Sequence, residues 1–230
     1  MAFNPSNYKA PTAKKLPVIL LLDVSGSMSG EKINELYDSV TTMVDTFVDE
    51  QVKETIIDVS IITFGNEVNL HTPYTSVIEL QKQGINTFNA NGATPLGVAL
   101  TMAKDMIDDK STTPSNIYRP AVVLVSDGMP NDSWKGPLDD FISTGRSAKC
   151  QRFAIAIGND VDRKMLEQFT GDPTLVFMAE GAKDISNCFQ KFTMSVSTRA
   201  CSQNPNAISN PASERFDNNP VIDSDDDLYI

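Results

Sequence analysis

Residues 16–30 read LPVILLLDVSGSMSG, and their order decides the fold. The run from Leu16 to Leu22 is almost wholly apolar, which suits a strand covered on both faces. Asp23 ends it. Small, loop-forming residues follow, and Gly26 and Gly30 let the backbone bend without a Cβ clash. Across residues 31–50, Ile33, Leu36, Tyr37, Val40, Met43, Val44, Phe47 and Val48 form one apolar stripe at helical spacing. Buried strand, tight loop and amphipathic helix, in that order, open an alternating α/β domain.

The alternation continues downstream. TIIDVSIITF (55–64) reads as a second buried strand, and Gly65 and Asn66 make a tight turn into a short strand near 67–70. A brief helix near 76–81 precedes the loop FNANGATPLG. Pro95 suits the first position of a helix that carries Leu96, Leu100, Ala103 and Ile107 on one face. PAVVLVSD (120–127) is another buried strand, followed by Gly128, Met129 and Pro130. A less regular helix over 138–148, the strand RFAIAIG, a helix around 163–169, the strand TLVFM and a helix from about 184 to 197 complete the series. The expected fold is α/β: a Rossmann-like doubly wound sheet of six strands, mostly parallel with one short antiparallel edge strand, and helices on both faces. Right-handed crossovers place the loops after the strands on one rim, with Asp23 and Asp127.

The length of 230 residues fits one domain with extensions. Residues 1–14 read as a loose arm, 15–199 as the domain, and 200–230 as an acidic, polar tail that adds little to folding. Its IDSDDDLYI end reads as a solvated terminus or a short recognition segment. The formal charge of -11, with no dense run of Lys and Arg, argues against nucleic acid as a partner. The apolar stretch 16–24 is too short to span a bilayer and is broken by Asp23, so no membrane role is expected. Cys150, Cys188 and Cys201 are odd in number and match no CxxC pair. They read as reduced thiols, and with no signal peptide they give an expected cytoplasmic location. Oligomeric state is not set by these features.

Asp23, Ser25 and Ser27 alternate just past the first strand, so their oxygens can converge on one point. Thr94 adds a hydroxyl from a second, glycine-containing loop, and Asp127 a carboxylate from another strand end. The set is all oxygen, which suits a hard cation: Mg2+ first, with Ca2+ or Mn2+ also accommodated. Two carboxylates neutralise a divalent ion, leaving it able to attract one outside carboxylate. Ser27 or Ser29 capping the first helix is the competing local reading. His71, the only histidine, has no G-x-S-x-G partner motif, and neither a G-x-x-x-x-G-K-[ST] nor a G-x-G-x-x-G loop is present. A metal-dependent phosphohydrolase and a metal-responsive switch are the alternatives to a binding module. Trp134 packs under a loop or flanks the metal as a recognition surface.

DVSGSMSG, NGATPLG and VVLVSDGMP resemble the three loops of the von Willebrand factor type A domain, over a stretch from Leu16 to about Ser197. The resemblance implies a metal-ion-dependent adhesion site and no catalysis. Its DxSxS motif falls on Asp23, Ser25 and Ser27, its threonine on Thr94 and its second aspartate on Asp127. Ser25, Ser27 and Thr94 would then touch the metal directly or switch between direct and water-mediated contact, Asp23 and Asp127 would act through water, and water or a protein partner's Asp or Glu would complete the shell. DVSGSMSGEKI, TPLGVAL and SDGMPND are more narrowly similar to TerY-like proteins of tellurium-resistance and stress-response clusters, which implies an adaptor within an assembly.

Overall fold

The computed structural model describes residues 13–50 and 55–207. Its first strand, β1 (Lys14–Asp23), lies inside the sheet between β2 (Thr55–Phe64) and β4 (Ala121–Ser126), parallel to both. β5 (Gln151–Ile157) and β6 (Val176–Ala179) extend it in parallel beyond β4, while β3 (Val68–Ser76) pairs antiparallel with β2 at the other edge. The order is β3-β2-β1-β4-β5-β6. This is the expected doubly wound sheet of six strands, and its winding reverses between β1 and β4. In open α/β sheets the crevice beyond the strand ends at such a reversal is where ligands bind.

The side-chain alternation of β1 divides the core. Leu16, Val18, Leu20 and Leu22 face a layer made by α1 (Glu31–Asp49), α2 (Val77–Gln83) and α6 (Ala182–Ala200). Ile19 and Leu21 face α3 (Leu96–Asp108), α4 (Lys135–Ser143) and α5 (Arg163–Thr170). The α1 stripe buries Leu36, Val40, Met43, Val44 and Phe47. Phe189, Phe192 and Val196 of α6 join the same cluster, with Phe192 edge-on to Phe153 at 5.2 Å. Phe47 is fully buried, so truncating it to alanine would cost about 3–5 kcal/mol.

The ends of several elements rest on particular contacts. Gly30, not Ser27 or Ser29, is the N-cap of α1; its φ of 83° needs a residue without a Cβ, and no side chain caps that helix. Pro95 likewise stands at the N-cap of α3 rather than inside it. The capping contact comes from elsewhere: the Asp132 carboxylate accepts from the Gly97 and Val98 N–H groups, both at 3.1 Å. β3 runs on to Ser76, past the expected end near Leu70, and the Ser60 hydroxyl bonds the Thr72 carbonyl at 2.9 Å where the ladder is irregular.

The segment beyond Arg199 begins as structure. Ala200 closes α6, the buried Arg199 guanidinium donates to the carbonyls of Pro205 and Arg119, and the Asn206 side chain accepts from the Arg119 N–H at 2.9 Å. Polar composition alone did not announce these bonds. Residues 1–12 of the expected arm and 208–230, including IDSDDDLYI, lie outside the described residues.

Candidate metal centre

Asp23 ends β1, Asp127 follows β4, and the parallel pairing of these strands brings the two carboxylates to one place. Asp23 is fully buried. Its Oδ1 accepts the Ser25 backbone N–H at 2.9 Å and its Oδ2 the Ser126 hydroxyl at 2.7 Å. The Ser25 and Ser27 hydroxyl oxygens are 3.0 Å apart, and Ser27 Oγ donates to Asp127 Oδ1 at 2.7 Å. Four of the five expected ligands therefore form one continuous chain of hydrogen bonds. Burial pushes the Asp23 carboxyl above its ordinary value, the bonds from Ser25 and Ser126 pull it back, and the charge of Asp127 raises it again. Such a carboxylate gains from a nearby cation.

Thr94 reaches the group through the backbone. Its N–H donates to Asn131 Oδ1 at 3.1 Å and its carbonyl accepts the Asn131 N–H at 3.2 Å, tying the second loop to the third. Gly26 N–H donates to the Gly92 carbonyl at 3.0 Å, tying the first loop to the second. Gly92 is there of necessity: its φ is 78°, and a Cβ would stand 2.4 Å from the Asn66 Cα. Thr94 is buried beside these loops, 8% exposed.

Adjacent oxygens in an octahedral shell with bonds of about 2.1 Å stand about 3.0 Å apart. The Ser25–Ser27 hydroxyl pair, hydrogen-bonded to one another at 3.0 Å, has a separation compatible with neighbouring positions on one hard cation. The described residues contain no group of three or more His, Cys, Asp or Glu that could hold a metal. The donor set here is three hydroxyls and two carboxylates, a different kind of site.

Four contributors escaped the sequence reading. Ser126 orients Asp23, and Lys32 places its ammonium 2.6 Å from Asp127 Oδ2. Asn131 and Asp132 fasten the third loop to Thr94 and to the start of α3. A hydroxyl closing the apolar strand AVVLVS, and a cation in the first helical turn after the loop, were the available signals. His71 is nearer the site than its place in the sequence suggests. It shares a 420 Å³ cavity with Val24, Asn66, Glu67, Phe88 and Asn91, although its Nδ1 is held by Thr72 Oγ1 at 2.9 Å. Trp134 packs against the helical layer beside Leu138, close under Gly97, as a loop-packing residue does. Met129, two residues past Asp127, is 64% exposed and supplies apolar surface on that rim.

A mostly parallel sheet with hydroxyls and carboxylates gathered at its reversal is a doubly wound α/β domain with a polar rim. A model of the von Willebrand factor type A domain matches residues 18–191, and the chain belongs to that family. It is 24% identical over 189 residues to inter-alpha-trypsin inhibitor heavy chain H2 of Mus musculus, covering 79% of this chain and 20% of that protein. Among solved structures, proximal thread matrix protein 1 from the mussel byssus with a zinc-occupied MIDAS motif superposes with a TM-score of 0.64 at 20% identity, covering 79% of this chain and 48% of that one. The vWF domain of the type V pili tip protein Mfa5 from Porphyromonas gingivalis gives 0.63 at 10% identity, covering 84% of this chain and 98% of that domain's chain. The chain thus spans a fifth to a half of the first two relatives. None of the three is named for a catalytic activity, and none points to the TerY-like subgroup.

The expected cytoplasmic location is corrected by these relatives, since a byssus thread protein and a pilus tip protein stand outside the cell. Reduced thiols were a poor guide for a physical reason. Burial pushes the Cys150 thiol up to about 12 and raises Cys188 as well, which disfavours the reactive thiolate of both whatever the compartment. Among the described residues no helix is long and apolar enough to cross a membrane.

Proposed function

We propose that the chain is a divalent-cation-dependent protein-binding module whose cation is held by Ser25, Ser27 and Thr94 directly and by Asp23 and Asp127 through water. The observation that carries this reading is the 3.0 Å hydroxyl pair of Ser25 and Ser27, set between two buried carboxylates at the sheet reversal. When bound, the cation supplies an accessible positive charge to a partner's Asp or Glu. The chain's own residues do the rest: Ser126 and the Ser25 N–H orient Asp23, and Asn131 holds the Thr94 loop. An all-oxygen donor set favours Mg2+, with Ca2+ or Mn2+ as substitutes. The zinc-occupied motif of the byssus protein supports a metal at this place in the fold.

Exposed Met129 and the neighbouring cavity lined by Asn66, Glu67 and Asn91 supply a surface for the partner around its carboxylate. The narrower likeness to TerY-like proteins, which would make the module part of a stress-response assembly, rests on its short motifs alone. A phosphohydrolase draws no support from His71, whose ring is engaged by both Thr72 Oγ1 and the Asn86 backbone. The test is capture of partner proteins by wild type and Asp23→Ala in Mg2+ and in EDTA, with the variant's fold checked by circular dichroism. Partners retained only by wild type in Mg2+ support the proposal. Equal retention in every arm contradicts it.

A further inference from the structure

Lys32 stands in the first turn of α1, where its Nζ lies 2.6 Å from Asp127 Oδ2 and 3.4 Å from the Ser27 carbonyl oxygen. The two oxygens of Asp127 are thereby divided. Oδ1 takes the Ser27 hydroxyl, a member of the candidate ligand set, and Oδ2 takes the ammonium. The Asp127 side chain is fully buried and that of Lys32 is 32% exposed. The lysine therefore spans from solvent to a buried carboxylate.

We infer that Lys32 sets the charge of this centre, weakening its hold on a divalent cation and strengthening its hold on an incoming carboxylate. The inference rests on the metal reading above. Asp23 and Asp127 together bring -2 and Lys32 brings +1, so a divalent ion meets a net -1 and the loaded site carries +1. A like charge a few ångströms from the ion lowers its affinity, and the same charge draws an anion in. Partial exposure of Lys32 makes both effects sensitive to salt. The two consequences have opposite signs, which separates this role from a structural one. If Lys32 only ordered Asp127, its removal would weaken the cation site and carboxylate capture together.

The experiment titrates Mn2+ into the full-length wild type and Lys32→Met, followed by water-proton relaxation, and then titrates acetate into each Mn2+-loaded protein. Methionine keeps an apolar stem in place of the lysine's. Lys32→Gln is a second neutral variant, and Lys32→Arg keeps the charge. At low salt the neutral variants should bind Mn2+ roughly tenfold more tightly and acetate severalfold more weakly, with both differences shrinking at about 0.5 M salt. Lys32→Arg should follow wild type in both. Mn2+ binding that is equal or weaker in the folded neutral variants, or acetate binding that is equal or tighter, overturns the role of Lys32 and leaves the metal reading standing. No Mn2+ binding by any of the proteins overturns both.

Discussion

Ser126→Ala removes one hydroxyl from the end of β4 and should damage a residue on another strand. The lost bond is the 2.7 Å contact to Asp23 Oδ2. Asp23 is fully buried, so solvent does not replace the donor, and only Ser25 is left to bond the carboxylate among the described residues. Hydrogen bonds to a charged group contribute about 1.5–3 kcal/mol, and leaving the acceptor buried and unpaired puts the cost in that range. For a domain of this size each kcal/mol is worth about 2–4 °C, so the midpoint should fall by about 4–8 °C for a loss near 2 kcal/mol. The assay is thermal unfolding by circular dichroism in EDTA, with Ser143→Ala as the control. Ser143 sits in a helix on the surface, where its hydroxyl only bonds the Asp139 carbonyl. A drop below 1 °C for Ser126→Ala would show that Asp23 does not depend on this hydroxyl, and the description of its surroundings would be wrong.

Gly92→Ala should cost about 3 kcal/mol or more, because it combines the left-handed backbone penalty with a Cβ 2.4 Å from the Asn66 Cα; Gly30→Ala, with φ 83° and open space around it, should cost only about 1–2 kcal/mol. Equal shifts in their urea midpoints would contradict the close approach of the loops. Of the three thiols, exposed Cys201 alone should react with a disulfide reagent at pH 8, since burial raises both Cys150 and Cys188. Three equal rates in the native protein would refute that. Truncation after Arg199 should lower the midpoint by about 4–8 °C, because it deletes the Pro205 and Asn206 acceptors for Arg199 and Arg119, whereas truncation after Ala207 should leave it nearly unchanged. Identical midpoints for the two truncations would show that residues 200–207 add nothing.

What the sequence disclosed and what it hid follow from the range of the interactions. The sheet was legible because its inner strands, such as LPVILLL and AVVLVS, are apolar on both faces and alternate with helical stripes. The site was legible where its donors sit in short loops of small residues. The starts of α2 and α5 were legible too, where Ser76 and Asp162 cap them locally, but the cap of α3 came from a distance. Asp132 reaches α3 from another loop, and Gly30 begins α1 by its backbone alone. Ser27 illustrates the difference. A serine before a helix suggests a cap, but its hydroxyl turns to Asp127, a hundred residues away in the chain. Ser126 and Lys32 were missed for the same reason: their roles exist only once β1 and β4 are paired. The length of β3 and the contacts of Pro205 and Asn206 likewise depend on partners that local composition does not contain.

The most direct measurement is a crystal structure of the full chain grown in Mn2+ with acetate, with the metal located by its anomalous scattering. The proposal predicts one ion bonded to Ser25 Oγ, Ser27 Oγ and the Thr94 hydroxyl at about 2.1–2.2 Å, with Asp23 and Asp127 reaching it through water. An acetate oxygen should occupy the open position. An ion bound elsewhere, or none at saturating Mn2+ with the three loops ordered as described, would contradict the central claim.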